Sequence, residues 1–232
     1  MKPQISFRSL PFAARCTIVM FGAAGLAAIL FAIFLQPAFS PGRLLMLLGL
    51  AAVSARAKVK LYRDSTISFL TCIVLLAVIQ EGPAVAVLVG ICGVTVQTLF
   101  PARKLVLHQL AFNAGMIAVT ITATWWIHHF LSSRTFETIS AELTATVLAS
   151  FTYFLGNSIS VSLIVSLSQK MSLIHIWSTH FMYSAPSFMI AGLLSLGIIG
   201  LASAHFLLIA LAGTAVIGIA YYCSIRVAAS AG

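Results

Sequence analysis

Three features of the chain predict a polytopic, all-α transmembrane helical bundle of about eight spans, two of them short, with both termini cytoplasmic. Hydrophobic residues make up 61% of the 232 positions and charged residues only 7%, against about 25% charged in a soluble domain. The apolar residues fall into runs near the roughly 20 residues that a membrane helix needs, separated by turn residues. When those runs are taken to cross alternately, the basic residues collect on one side.

Turn residues divide the chain into eight segments. The first, 16–36, follows a basic stretch (Lys2, Arg8, Arg15) and is closed by Gln36-Pro37. At about twenty residues it exceeds the ~7–15-residue core of a cleaved signal peptide, so it is expected to stay as an anchor. After Ser40-Pro41-Gly42 comes a short run, 43–57, whose tail (Arg56, Lys58, Lys60) reaches the headgroups by snorkelling. The third, 65–80, ends at the tight turn Glu81-Gly82-Pro83, and the fourth, 83–100, stops at Pro101. Segments five and six are 104–127 and 139–168, with a polar loop between them. Segment seven is 174–200 and segment eight 205–227.

The second and third runs are short of the ~17 residues of a full span and read as short or tilted spans, or as one re-entrant pair. Helix is expected for both, because backbone groups in hydrocarbon must be satisfied within the segment or in a closed barrel. Continuous runs such as Ile73-Val74-Leu75-Leu76-Ala77-Val78 lack the alternation of a barrel strand. With the N-terminus inside, alternate crossing puts eleven Lys and Arg in the cytoplasm and only Arg43 and Arg134 outside. If segments two and three did not cross, the split would be seven against six. The organisation is therefore a cytoplasmic segment 1–15, a bundle 16–227 and a tail 228–232, placed as a multi-pass protein in a bacterial cytoplasmic membrane. Small residues in the helices (Gly22, Ala24, Gly25, Ala28, Gly90, Gly93, Gly192, Gly197, Gly200) suit close packing in lipid.

The net charge of +9 is explained by topology-setting cations, so the expected partner is the lipid bilayer and not nucleic acid. Cys16, Cys72, Cys92 and Cys223 lie in or beside apolar runs and form no CxxC pair, which fits buried small hydrophobes. The four acids, Asp64, Glu81, Glu137 and Glu142, supply no carboxylate pair close in sequence for acid–base work or a bound metal. No HExxH, GxSxG or Walker-type loop is present. His128-His129 point to different helix faces, and the spacing of His175 and His180 suits no shared ligand. No catalytic residues, cofactor or metal are expected.

Uncharged polar groups at membrane depth carry the remaining signal. Asn113 sits in Leu110-Ala111-Phe112-Asn113-Ala114-Gly115, and Tyr153 lies one turn before Asn157 in segment six. Tyr183-Ser184-Ala185-Pro186-Ser187 sets a helix-kinking proline among hydroxyls, and Gln97 lies toward the end of segment four. These residues read either as interhelical hydrogen-bond glue or as the polar lining (Asn113, Asn157, Tyr153, Tyr183, Gln97 and Ser187) of a small-molecule cavity.

The order Ser65-Thr66-Ile67-Ser68-Phe69, Glu81-Gly82-Pro83-Ala84-Val85-Ala86, Phe112-Asn113-Ala114, Tyr153-Phe154-Leu155-Gly156-Asn157-Ser158 and Trp177 to Pro186 resembles the N-terminal membrane input region of bacterial HD-GYP and GGDEF signalling proteins, over residues 44–225. The serine start and Gly-Pro turn are also similar to S-components of energy-coupling-factor vitamin transporters. The first resemblance implies a sensor of an unknown small ligand or of the membrane state, without enzymatic activity, that signals to a cytoplasmic effector. Six residues follow Arg226, so that effector is expected to be a separate partner or to have been lost. The second implies a substrate-binding transporter component working with a separate ATPase partner.

Overall fold

The computed structural model describes residues 7–56, 58–62, 65–100, 106–134 and 139–200. Segment eight, the tail, Cys223, Arg226, Asp64, Glu137 and the Arg103-Lys104 pair lie outside the described residues, and so does the placement of both termini. The described chain is overwhelmingly helical. A single turn of 3-10 helix, Phe7–Ser9, leads into α1 (Phe12–Leu35); α2 (Pro41–Ser54) is followed by α3 (Phe69–Gln80), α4 (Pro83–Leu99), α5 (Leu107–Arg134) and α6 (Ile139–Gln169). Among the described residues four helices are long and apolar enough to cross a membrane: Phe12–Leu35, Leu107–Ser133, Ser140–Gln169 and Leu173–Gly200. Helices α2, α3 and α4 are apolar but shorter, at 14, 12 and 17 residues.

Three boundaries differ from the sequence reading, each for a physical reason. Residues 58–62 and 65–68 are not helix but β1 (Lys58–Tyr62) and β2 (Ser65–Ser68), an antiparallel ribbon with Val59 opposite Ile67 and a register shift near Tyr62. Backbone groups outside a helix must still be paired, and a stretch containing Val59, Thr66 and Ile67 favours the extended form. The third helix therefore starts at Phe69. Helix α5 continues seven residues past the expected end at 127, into the stretch where the sequence predicts a polar loop. Its last turns are tied down: His128 Nε2 lies 3.1 Å from Glu142 of α6, Ser132 donates to the same carboxylate at 3.2 Å, and the His129 ring stacks on Trp125 at 4.8 Å.

The third difference is in the seventh segment, which is interrupted. A turn of α-helix, α7 (Leu173–Ile176), passes into π-helix over Trp177–Phe181 and a 3-10 turn over Met182–Ser184, and regular helix resumes as α8 (185–200). Pro186 thus sits in the first turn of α8, where its missing N–H costs nothing, instead of kinking a continuous rod. The hydroxyls around it close the break locally: Ser184 donates to Phe181 O and Ser187 to Ser184 O, both at 2.6 Å.

Helix α5 stands at the centre against α1, α4 and α6, and runs antiparallel to α4 and α6. Asn113 meets Thr98 and Ile121 meets Gly90 between α5 and α4; Thr120 meets Gly156 and His128 meets Glu142 between α5 and α6. Helix α1 lies parallel to α5, with Phe21 edge-on to Phe112 and, further along, Gly25 against Gly115. At that crossing the backbones touch: a Cβ built on Gly25 would overlap Gly115 Cα, and one on Gly115 would overlap Phe21 O.

The inward face of α1 is small except at Ile18 (Ala14, Thr17, Gly25, Ala32), whereas Val19, Met20, Leu26, Leu30, Ile33 and Phe34 point outward. That is the membrane pattern, in which small residues let backbones approach and large apolar ones meet lipid. Helix α3 is buried on every side, from Leu70 through Val78, as expected of an element apolar all round. At roughly 18 Å long it is enclosed by α2, α4, α5 and α8. The Ser195 hydroxyl of α8 lies 2.9 Å from Cys72 O and 2.7 Å from Ala191 O.

The α3–α4 turn is held by a residue far away in sequence. Gly82 has φ +105°, a conformation that glycine adopts without penalty. Gln36, just past α1, donates from Nε2 to Glu81 O at 2.6 Å and accepts from Ala84 N at 3.0 Å. One side-chain amide thereby caps the end of one helix and the start of the next. Arg43, at the start of α2, pairs with Glu81 at 3.4 Å. Among the described residues both acids, Glu81 and Glu142, lie at this end of the bundle. At the opposite end Arg56 lies over the Phe100 ring at 5.2 Å, and Arg8, Arg15 and Lys170 are found there too. The two ends are called acidic and basic below.

Candidate functional site

A cleft of about 370 Å³ opens at the basic end between α1, α5 and α6. The sequence sets its walls by helical period. From α6 come Val161, Ile164, Val165, Ser168 and Gln169, at offsets 0, 3, 4, 7 and 8, which share one face. From α5 come His108, Gln109, Phe112 and Asn113, again one face, and from the start of the chain come Leu10 and Ile18. Helices α1 and α5 touch where Gly25 and Phe21 meet Gly115, and rings fill the contact on the side of the cleft. Phe7 packs on His108 at 5.7 Å and Phe21 on Phe112 at 5.3 Å.

The floor is apolar. Ile18, Phe112 and Met116 form a buried cluster, with Leu10, Val161 and Ile164 packed against it. The rim is polar and carries no carboxylate among the described residues. Asn113 donates from Nδ2 to Thr98 Oγ1 at 3.0 Å, and Thr98 donates on to Val94 O at 2.7 Å. That leaves the second amide hydrogen and the carbonyl oxygen of Asn113 for the cleft. Ser168 donates to Ile164 O at 2.7 Å within its own helix. Helix α6 ends at the rim in a left-handed residue, Lys170 (φ 56°), with Met171 N bonding back to Ser166 O at 3.2 Å. This return bond fixes where Ser168 and Gln169 stand. An apolar floor with a few amide and hydroxyl groups at the mouth is the chemistry of a site for a small amphipathic molecule.

Of the six residues expected to line a cavity, Asn113 alone is among those lining this cleft. Tyr153 is buried between α6 and α8, its ring 5.7 Å from Phe188. That pair continues through Phe154 to Trp177, whose Nε1 donates to Ser158 Oγ at 3.0 Å. Ser187 is buried within the interrupted span, and Tyr183, beside it, is exposed. Asn157 on α6 and Gln97 on α4 are half-buried away from the cleft. His108, Gln109, Ser168 and Gln169 were missed. Their signal was present as polar residues four apart from Phe112, Asn113, Ile164 and Val165 at the ends of long apolar helices. Among the described residues no group of three His, Cys, Asp or Glu could hold a metal.

The chain matches no family model, no curated protein and no solved structure.

Proposed function

We propose that this chain is a ligand-binding membrane module that holds a small amphipathic molecule in the cleft between α1, α5 and α6, and passes the bound state to a separate cytoplasmic partner without catalysing a reaction. The observation that carries this reading is the cleft itself, apolar at depth, amide-lined at the mouth and open at one end of the bundle. In this reading α2 and α3 cross as short spans, the bundle has eight spans, and the basic end with both termini faces the cytoplasm of a bacterial cell. The pairing of Arg43 with Glu81 at one end of α2, and of Arg56 with Phe100 at the other, supports such a crossing. The excess of Lys and Arg supports the orientation.

A photoactivatable long-chain alcohol, incorporated into nanodiscs with the full chain, tests the site. Cross-links are expected to concentrate on peptides containing Phe112 and Val161. Val161→Trp, which fills the cleft, should lower that labelling by about fivefold or more, since an occupied cavity excludes its ligand. Labelling of the lipid-facing residues around Leu26 should stay unchanged. Uniform labelling of the outer surface, with no enrichment at Phe112 and Val161, would remove the proposal.

One observation favours a second reading, a substrate-binding transporter component. The break at 177–184 resembles the discontinuous helices around which transporters build substrate sites. Purification from native membranes in mild detergent separates the two: a paired ATPase among the copurifying proteins supports transport, and a signalling enzyme supports the sensor.

A further inference from the structure

The cleft's electrostatic surroundings narrow its ligand. We infer that it takes an anionic phospholipid, one acyl chain lying on the Ile18–Phe112–Val161 floor and the phosphodiester held at the basic rim. This inference rests on the reading of the cleft as a ligand site.

The volume of about 370 Å³ is at the low end for ligand cavities, roughly 300–1,000 Å³. It suits part of an amphiphile whose remainder stays in the bilayer. Among the described residues the charge around the mouth has one sign. Arg8 is exposed on the 3-10 turn that delivers Leu10 to the wall, and Lys170 is exposed immediately after Gln169. Arg15 stands one helical turn from Ile18, its guanidinium 5.8 Å from the Phe12 ring centroid. Its Nε is buried without a hydrogen-bond partner. A buried guanidinium nitrogen is costly when unpaired, and an anionic oxygen is the group that satisfies it best.

The described acids, Glu81 and Glu142, lie at the other end of the bundle and offer Arg15 nothing. The donors at the rim (the Asn113 and Gln109 amides, the Gln169 amide and the His108 ring) are suited to phosphate oxygens. A neutral amphiphile would leave the exposed cations Arg8 and Lys170 beside the mouth without a counter-charge. A small free anion would leave the apolar floor uncovered. An anionic amphiphile answers both.

The test is native mass spectrometry of the full chain released from detergent, titrated with phosphatidylglycerol, phosphatidylcholine and diacylglycerol of identical acyl chains. Phosphatidylglycerol is expected to be retained preferentially. The double variant Arg8→Gln/Lys170→Asn should weaken that retention on the order of tenfold, from the loss of two interfacial cations, and leave phosphatidylcholine unaffected. Both positions are exposed, and asparagine tolerates the left-handed backbone at 170, so the variant is expected to fold. Val161→Trp should abolish retention of all three lipids.

Equal retention of the three lipids by the wild type, lost in Val161→Trp, would overturn the anionic assignment and leave the cleft as an amphiphile site. Displacement of phosphatidylglycerol by millimolar inorganic phosphate would show a plain phosphate site and overturn the lipid. Retention unchanged by Val161→Trp would overturn the cleft as the site altogether.

Discussion

Gly115→Leu is expected to leave almost no folded, monodisperse protein in detergent. The reason is the contact between α1 and α5, where a Cβ on Gly115 would already overlap the Phe21 carbonyl and come within 3.1 Å of Gly22 Cα. Backbone cannot rotate aside as a flexible side chain does, so the two helices must separate along their length. Overpacking a well-packed site costs about 1–3 kcal/mol, and a clash with backbone on a central helix belongs at or above the top of that range. Because α5 also carries the contacts to α4 and α6, displacing it disturbs those two interfaces as well. Size-exclusion profiles and melting curves of a fluorescently tagged full chain would measure the effect. Gly22→Ala is the control, one turn away on α1, since a Cβ there meets nothing within 4 Å. A Gly115→Leu protein that elutes and melts like the wild type would show that the helices do not touch at this point.

The second large effect is expected at Gln36. Its amide donates to Glu81 O at 2.6 Å and accepts from Ala84 N at 3.0 Å, so Gln36→Leu strips partners from two partly buried backbone groups at once. Each unsatisfied group costs about 1–3 kcal/mol. At roughly 2–4 °C per kcal/mol for a chain of this size, a loss of 2–3 kcal/mol lowers the melting temperature by about 4–12 °C. Gln36→Glu separates hydrogen bonding from packing. It keeps an acceptor for Ala84 N, loses the donor to Glu81 O, and adds a charge near the Glu81 carboxylate, so it should melt below the wild type as well. A shift of less than about 1 °C in Gln36→Leu would mean that water or lipid headgroups replace the amide at the turn, as first-shell water can.

Much of the architecture was legible because it is written in length and charge. Helices α1, α4 and α6 begin and end within a few residues of the expected runs, and at α1 and α4 the punctuation is plain in the sequence, with Pro37 just past α1, Gly82-Pro83 opening α4 and Pro101 following it. The faces of those helices were not legible. In α1 both the buried and the lipid-facing residues are apolar, so the periodicity that marks the buried face of a water-soluble helix is missing. The β1–β2 ribbon was hidden because Lys58-Val59-Lys60 reads equally as a snorkelling helix end, and only tertiary pairing decides between them. The break at Trp177–Ser184 was half visible: Pro186 signalled a disruption, but the π-turn ahead of it depends on how Trp177 seats against α6.

Asn113 was found as an amide deep in an apolar run. The rim residues His108, Gln109, Ser168 and Gln169 sit where a polar side chain is ordinary, at helix ends, and became a site only when α5 and α6 brought them together.

Rods that touch at one place would pivot there, and the touching glycines would then serve α1 and α5 as a fulcrum. Helices α1 and α5 are stiff rods that touch where Gly25 and Phe21 meet Gly115, and the cleft lies on one side of that point. The arm from Gly25 to the start of α1 is about 20 Å and the arm to Leu35 about 15 Å, at 1.5 Å per residue. A rigid swing of about 5° over these helical arms widens the mouth of the cleft by roughly 2 Å while closing the opposite ends by somewhat less. Those opposite ends carry Gln36, clasped to the α3–α4 turn. Lever geometry therefore links the width of the basic mouth to the strain on a hydrogen-bonded latch at the far end of the molecule, with no part of the bundle needing to unfold.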